Sequence, residues 1–368
     1  MKKKNLCKTL LKTMCIVLGI LILALLAYIV YLYASYYRIE DNQELVVEAP
    51  VDDTTTGAAA VLATDTEYSA VTYNIGFGAY LPDYSFFMDG GTSSWAESPE
   101  TVQYAINGAG ELVKSLDPDF ALIQEIDLDA TRSYHTDEYQ MLRNILPEYT
   151  TVFAQNYDSA FLFYPFTQPH GSSRAGLGLF SKYPVSSALR RSFPISTSFS
   201  KFFDLDRCYS VSRIPVDNGK ELVIFNLHMS AYGNSDEIRK GQIEMLCNDM
   251  AKEYEAGNYV LCGGDFNHDL KASEEDTESC ESWAFPFPRT ELPEHFAFCL
   301  DLLSSEEKES LWNSARNADM EYVPGVTYTV TLDGFIISDN IECLSYENVN
   351  TGYSYSDHDP VKVEFVLR

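Results

Sequence analysis

The stretch Tyr259-Val260-Leu261-Cys262-Gly263-Gly264-Asp265-Phe266-Asn267 runs from an apolar segment through two glycines to an acid and an amide. A short apolar run closed by glycine predicts a buried strand, because a helix needs ten or more periodic residues. The polar pair at its end recurs elsewhere in the chain. Asn74 closes Val71-Thr72-Tyr73-Asn74, Glu125 closes Phe120-Ala121-Leu122-Ile123-Gln124-Glu125, and His228 closes Val223-Ile224-Phe225-Asn226-Leu227-His228. Asp333 lies in Thr331–Ile337, and Ser356-Asp357-His358-Asp359-Pro360 leads into Val361–Leu367. Singly these are ordinary features: a cap, a half-buried histidine, a turn before proline. Together they are polar strand ends, which converge when they face one edge of a sheet. Carboxylates gathered there suit a hard cation such as Mg²⁺, and imidazoles beside it suit proton transfer or a phosphate oxygen. The pattern implies metal-assisted phosphoryl chemistry.

Further β-rich runs, including Thr151–Gln155, Leu177–Ser181, Tyr209–Pro215 and Glu221–His228, are bounded by Gly, Pro and Asn. Two helices are predicted. Ser98-Pro99-Glu100 opens one over Ser98–Leu116, with a capping serine and proline in the first turn. The other spans Asp236–Tyr254, with Ile238, Ile243, Leu246 and Met250 at helical spacing. There is no repeat. Strands mixed with helices and hairpin-like pairs give an α+β class rather than a strictly alternating parallel fold. Two aromatic-rich segments, Ala79–Glu97 and Tyr157–Arg174, read as insert-like loops that either contact a ligand or membrane or fold back as satellite cores.

The first 38 residues carry six basic residues and no acid, so the remainder holds 26 − 6 = 20 basic against 54 acidic residues, a net of −34. That charge disfavours nucleic acid as a partner, since phosphate backbones are held by Lys and Arg. Residues 13–37 carry no charge before Arg38 and end in tyrosines, as a bilayer-spanning helix does. The preceding lysines predict a cytoplasmic N-terminus and an extracytoplasmic body. The rival reading, a cleaved signal peptide ending near Ala34, meets Leu32 where a small residue is expected. The expected organisation is a basic cytoplasmic tail (1–12), a transmembrane helix (13–37), an acidic flexible linker (38–66) and one catalytic domain (67–368). No CxxC or zinc spacing occurs among the eight cysteines, and a Cys280–Cys299 pair is as open as free thiols. There is no G-x-S-x-G elbow, Ser356, Asp357 and His358 are too close in sequence to form a hydrolase relay, and no Walker spacing is present.

Read in order, Tyr73-Asn74, Gln124-Glu125, Gly178–Pro184 within Gly-Leu-Gly-Leu-Phe-Ser-Lys-Tyr-Pro, Asn226-Leu227-His228, Gly264-Asp265-Phe266-Asn267, Leu332-Asp333 and Ser356-Asp357-His358 resemble the endonuclease/exonuclease/phosphatase superfamily. The likeness covers nearly all of residues 68–368; one departure is Tyr73, where the family usually has Trp. It implies a four-layer α/β/β/α sandwich of two mixed sheets. It also implies a phosphoric ester hydrolase acting on a phosphodiester or phosphomonoester, with Mg²⁺ as cofactor and Mn²⁺ as the alternative. Glu125 would be the main metal ligand, with Asn74 and Asp357 in the metal shell. His228 and Asn267 would bind the scissile phosphate, and Asp265 would orient or deprotonate water. His358, held by Asp333, would act as base or as a phosphate-stabilising cation. The resemblance leaves open which of Asp265 and His358 takes the proton. Arg207 matches an often-basic position, and Arg174 is a second candidate substrate contact. Arg132-Ser133-Tyr134-His135 reads as a solvated helix start rather than a substrate contact. A lipid headgroup or a small phosphorylated metabolite fits the charge better than a nucleic acid. A non-catalytic binding module on the same fold is the remaining alternative.

Overall fold

The computed structural model describes residues 2–52, 61–231, 236–273 and 284–368. It divides into two units, Met1–Arg38 and Ile39–Arg368. In the first, α1 (Lys2–Ser35) is one continuous helix, and its Cys7–Ser35 segment, 29 residues, is long and apolar enough to cross a membrane.

In the second unit, two sheets of seven strands form among the described residues. Sheet I has the order β15 (Ile341–Asn348), β16 (Val361–Leu367), β3 (Glu67–Asn74), β4 (Phe120–Ala130), β6 (Gly171–Ser181), β5 (Thr150–Leu162), β2 (Val47–Glu48). Sheet II has the order β1 (Gln43–Glu44), β7 (Ser187–Ser192), β8 (Cys208–Pro215), β9 (Glu221–His228), β10 (Tyr259–Asp265), β14 (Asp333–Ser338), β11 (Phe296–Phe298). A small pair, β12 (Ala315–Arg316) and β13 (Thr329–Val330), stands beside them. The β3–β4 and β9–β10 pairs are parallel and their other neighbours antiparallel, so both sheets are mixed.

Strand period explains the layering. Successive side chains point to opposite faces, so Phe120 and Leu122 enter the core between the sheets while Ala121 and Ile123 face outward. The outward face is covered by Val102, Ile106, Ala109 and Val113 of α2 (Pro99–Leu116) and Leu142 of α3 (Glu138–Ile145). Ile243, Leu246 and Met250 of α4 (Asp236–Glu255) cover sheet II. Both faces of each sheet are therefore buried, which is why β9 and β10 read as continuous apolar runs. Ser98 caps α2, its Oγ accepting from Thr101 N, and Asp117 closes it in a left-handed conformation. A last short helix, α5 (Ser305–Ser310), opens with a capping box.

Several expectations are corrected. The acidic linker over 38–66 is in part folded onto the domain: β1 pairs with β7 and β2 with β5, so this segment lines one edge of each sheet. Buried Arg190 holds it, donating to the carbonyls of Glu40, Asp206 and Gln155. Residues 53–60 of that linker and Cys280 lie outside the described residues; Cys299 is a buried free thiol. The Tyr157–Arg174 loop is instead the outer half of a β5–β6 hairpin, bent by two irregularities in register. Ala79–Glu97 folds back, with Tyr80, Tyr84 and Phe86 buried around Phe77. The run Thr331–Ile337 is paired only from Asp333 on, as β14, because Ser314 Oγ takes the N–H groups of Leu332 and Asp333.

Arg190→Ala removes a fully buried cation and leaves its carbonyl partners unsatisfied, which should cost about 2–4 kcal/mol. The expected outcome is a lower denaturation midpoint and early proteolysis within residues 39–48. An unchanged midpoint would refute the clasp.

Candidate functional site

β3, β9 and β10 end at the same edge of the sandwich and antiparallel β14 and β16 begin there, whereas β4, expected to close at Glu125, slips register there and runs on to Ala130. Register sets Asp265 opposite both His228 and Asp333. Gly264 makes this turn feasible: its φ is +145°, and a Cβ there would lie 2.0 Å from the Leu227 carbonyl oxygen.

Glu125 adopts φ +56° where β4 slips register between Ile123 and Ile126. A non-glycine residue rarely holds this conformation; here it turns the carboxylate out of the pleat toward the edge. Asn267, at φ +50°, donates its N–H to Asp265 Oδ1 at 2.8 Å and its Nδ2 to Met229 O at 3.0 Å.

Asn74 Nδ2 bridges Glu125 Oε1 (3.2 Å) and Asp265 Oδ2 (3.1 Å). His228 Nε2 lies 3.5 Å from Asp265 Oδ2 and 3.9 Å from Glu125 Oε1. His358 Nε2 lies 3.8 Å from the same Asp265 oxygen, while its Nδ1 is 2.7 Å from Asp333 Oδ2. Asp333 is fixed in turn by Ser314 Oγ at 2.7 Å. Ser356 Oγ donates to Asn74 O and accepts from His358 N, tying the last loop to β3.

Burial disfavours charge throughout this edge. It pushes Asp265 up to about 7, opposed by nearby His358 and reinforced by Asp333. It pushes Asp357 up to about 6, with His358 and Arg316 pulling down and Glu125 pushing further up. Burial would lower His358, yet Asp333, Asp265 and Asp357 together hold it well above the usual histidine range. His228 is held low by burial, with Arg207 and His358 adding to the effect.

These groups line a cleft of about 590 Å³, with Glu125, His228, Asp265, Asn267, Asp357 and His358 on one wall. Arg207 also lines it, just ahead of the strand that pairs Tyr209 with Leu227, and so stands beside His228. Arg174 does not: it is exposed and pairs with Asp129 at 3.1 Å. Arg132, read from sequence as part of a solvated helix start, is buried, forks onto Asp127 and lies 3.7 Å over the Phe77 ring in the same cleft. The sequence reading missed Gln124 as a support; its buried amide joins Thr72 to Asn226 across the two sheets. It also missed Asn156, Ser314 and Arg316. No periodic signal marks them, although Ser314 sits in a run of turn residues.

The donor set fits a divalent cation. Glu125 and Asp357 bring two carboxylates to one edge, and burial with Glu125 beside it raises Asp357 in spite of His358 and Arg316. Asn74 fits less directly, because its Oδ1 accepts the Gly76 N–H and its amide nitrogen faces the carboxylates. Asp265, Asp333 and His358 also bring donor atoms within 4.8 Å of one another, but two of them are already hydrogen-bonded together.

A sandwich of two mixed sheets with carboxylates and histidines at one edge is a phosphoesterase-type frame. The Endonuclease/Exonuclease/phosphatase family profile matches residues 71–301, and the chain belongs to that family. Its members are phosphoric ester hydrolases that use divalent metal ions. Among curated proteins, none matches. Among solved structures, the chain is similar to an endonuclease/exonuclease/phosphatase from Beutenbergia cavernae, with TM-score 0.55, 14% identity, and 82% of this chain and 72% of that one covered. A second, from Bacteroides vulgatus, gives TM-score 0.54 and 17% identity over 83% and 100%. ANGEL2, a 2′,3′-cyclic phosphatase solved with adenosine-2′,3′-vanadate, gives TM-score 0.56 and 11% identity over 82% and 96%. At these identities the likenesses establish the fold alone.

The raised carboxylates carry a prediction. A group whose pKa rises on folding stabilises below its unfolded value and loses that contribution as pH climbs through its folded value. In chelator-treated protein, Asp357 and Asp265 should therefore cost stability between about pH 4 and 7, and His358, raised in the same sense, should lose its contribution at higher pH. A divalent cation should relieve this, so Mg²⁺ should raise the melting temperature more at pH 7.5 than at pH 5. Equal shifts at both values would remove the cation from this edge.

Proposed function

We propose that residues 67–368 are a Mg²⁺-dependent phosphoesterase, with Mn²⁺ as a substitute, that cleaves a phosphodiester or phosphomonoester outside the cytoplasm while α1 tethers it to a membrane. The observation that carries this reading is the meeting of Asp265, His228 and the Asp333–His358 pair beside Glu125. Glu125 and Asp357 would hold the metal, with Asn74 positioning Glu125. When bound, the metal supplies Lewis-acid stabilisation of a phosphoryl oxygen.

The chain's own residues divide the remaining work. His228, held neutral by burial, and Asn267 bind and orient the phosphate. His358 carries a proton at neutral pH because Asp333 holds it, which suits a cation facing developing negative charge. Asp265, near 7, is then the better acceptor for the proton of attacking water. This supports Asp265 as the base and His358 as the stabilising cation.

The extracytoplasmic placement rests on the lysines ahead of α1. The net charge of the remainder favours a small phosphorylated metabolite or a lipid headgroup over nucleic acid. Detergent-solubilised full-length protein should hydrolyse bis-p-nitrophenyl phosphate or a lipid phosphodiester with Mg²⁺ and not with EDTA. DNA and RNA in the same panel should be poorer substrates; preferential DNA cleavage would replace this reading with a membrane-anchored nuclease. Glu125→Ala, Asp265→Asn and His358→Ala should each lower kcat/KM by roughly 10²–10⁴-fold with cooperative unfolding retained. Full activity in Glu125→Ala would defeat the metal assignment.

A further inference from the structure

Residues 159–203 contain no Asp or Glu, in a body that carries a net −34. Two parts of that stretch are exposed and aromatic. The first is the tip of the β5–β6 hairpin, where Tyr164 is 61% and Phe166 84% exposed, with Phe163 also in solvent. The second is the short turn Phe199–Phe202 with Phe203 after it, where Phe199 and Phe203 are exposed. Single exposed apolar residues are ordinary, but a cluster of large ones marks a contact surface.

Both groups border the cleft. Phe203 lines it directly. The Tyr164 ring lies 5.8 Å from that of Phe87, whose neighbours Phe86 and Met88 line it too. The hairpin tip stands past the end of the neighbouring strand: β4 pairs no further than Ala130 with Ser173, whereas β5 and β6 run on to Leu162 and Gly171. Charge sets these lips apart from the rest of the surface. Arg174, Lys182 and Arg191 of the acid-free stretch are each ion-paired with an acid from elsewhere, which leaves it close to neutral. A near-neutral aromatic rim suits the apolar level of a bilayer, whereas acidic surface is repelled by phosphate headgroups.

The chain itself points to the surface that covers this rim. α1 ends at Ser35 and the folded unit begins at Ile39. Tyrosines at the end of an anchor mark the headgroup level, and so short a connection spans at most about 14 Å. Ile39 is close to the cleft. Its N–H donates to Asp206 Oδ2 at 2.6 Å, and Asp206 directly precedes cleft-lining Arg207, three residues after Phe203. The end of the folded unit nearest the anchor is therefore the end that carries the second aromatic lip. We propose that Phe163, Tyr164 and Phe166 on one lip, and Phe199 and Phe203 on the other, dock on the bilayer that α1 enters, so that the cleft opens onto lipid headgroups. This rests on reading α1 as a membrane anchor and the cleft as a phosphoesterase centre.

Lipid quenching tests the docking directly. Full-length protein is placed in nanodiscs of phosphatidylcholine brominated on its acyl chains, a single copy to each disc, so that no second chain can cover the rim. Phe166→Trp and Phe199→Trp put a reporter on each lip. Leu344→Trp puts one on exposed β15, at the far edge of sheet I from β5. The emission of the native chain, which has three tryptophans, is subtracted. Each rim reporter should lose roughly half of its added emission to the bromines, and the β15 reporter roughly a tenth or less. A rim position quenched no more than the β15 position would overturn the docking. Two further measurements keep the readings apart. A full-length chain that alkaline carbonate strips from vesicles refutes the anchor and the docking with it. A chain that resists carbonate but shows no rim quenching loses the docking alone. Rim quenching without hydrolysis of bis-p-nitrophenyl phosphate refutes the reaction and leaves the docking standing.

Discussion

Burial of Asp265 and Asp357 at one edge, with Asp333 beside the first and Glu125 beside the second, is the constraint around which this edge of the molecule is arranged. Asp265 closes β10, Glu125 sits at the register slip within β4 and Asp357 lies in the turn leading into β16, and these strands are fixed by the core between the sheets. The sandwich cannot relax them apart without unpairing its central strands. Their charge is instead managed locally: the Asn74 amide is wedged between two of them, His358 is kept cationic beside two, and Arg316 lines the cleft near Asp357. Strain is stored in the same place, at the positive φ of Glu125 and Asn267.

The supports are as specific as the acids. Gln124, immediately before Glu125, spans from Thr72 to Asn226, whose own amide reaches the Gly178 carbonyl. A continuous chain of buried amides therefore runs beneath the site and joins the two sheets. Fully satisfied networks of this kind select a single arrangement of the strands that carry them. Above it, Ser314 fixes Asp333 and Ser356 fixes the His358 loop, so neither member of that pair depends on the other alone for its orientation.

Much of this was legible in the sequence because the relevant signals are short and local. Gly263-Gly264-Asp265 marks a strand closing on a turn, and Ser98-Pro99 marks a helix start; both are readable without tertiary knowledge. What escaped depends on contacts distant in sequence. β1 and β2 are two residues each, too short for any periodicity, and exist through pairing with strands more than a hundred residues away. The inner halves of β5 and β6 read as strands, but their outer half, from Tyr157 to Arg174, reads as a loop because bulges interrupt its alternation. The same bulge hides Asn156, which looks like an ordinary strand polar residue until its neighbours are known. Arg132 looked solvated because Asp127 and Phe77, its partners, belong to different segments.

The N-terminal clasp has a mechanical consequence. Residues 43–48 seal the outer strands of both sheets, and Arg190 bonds the backbone just ahead of them. Tension along the chain ahead of Ile39 is borne first by the two-residue edge pairings and by Arg190, Arg191, Ser192 and Asp206, which bond residues 39–41. Such edge pairs part a few bonds at a time, whereas the central strands must shear along their whole length. The clasp is therefore expected to open under load before the edge that gathers Asp265, His228 and His358.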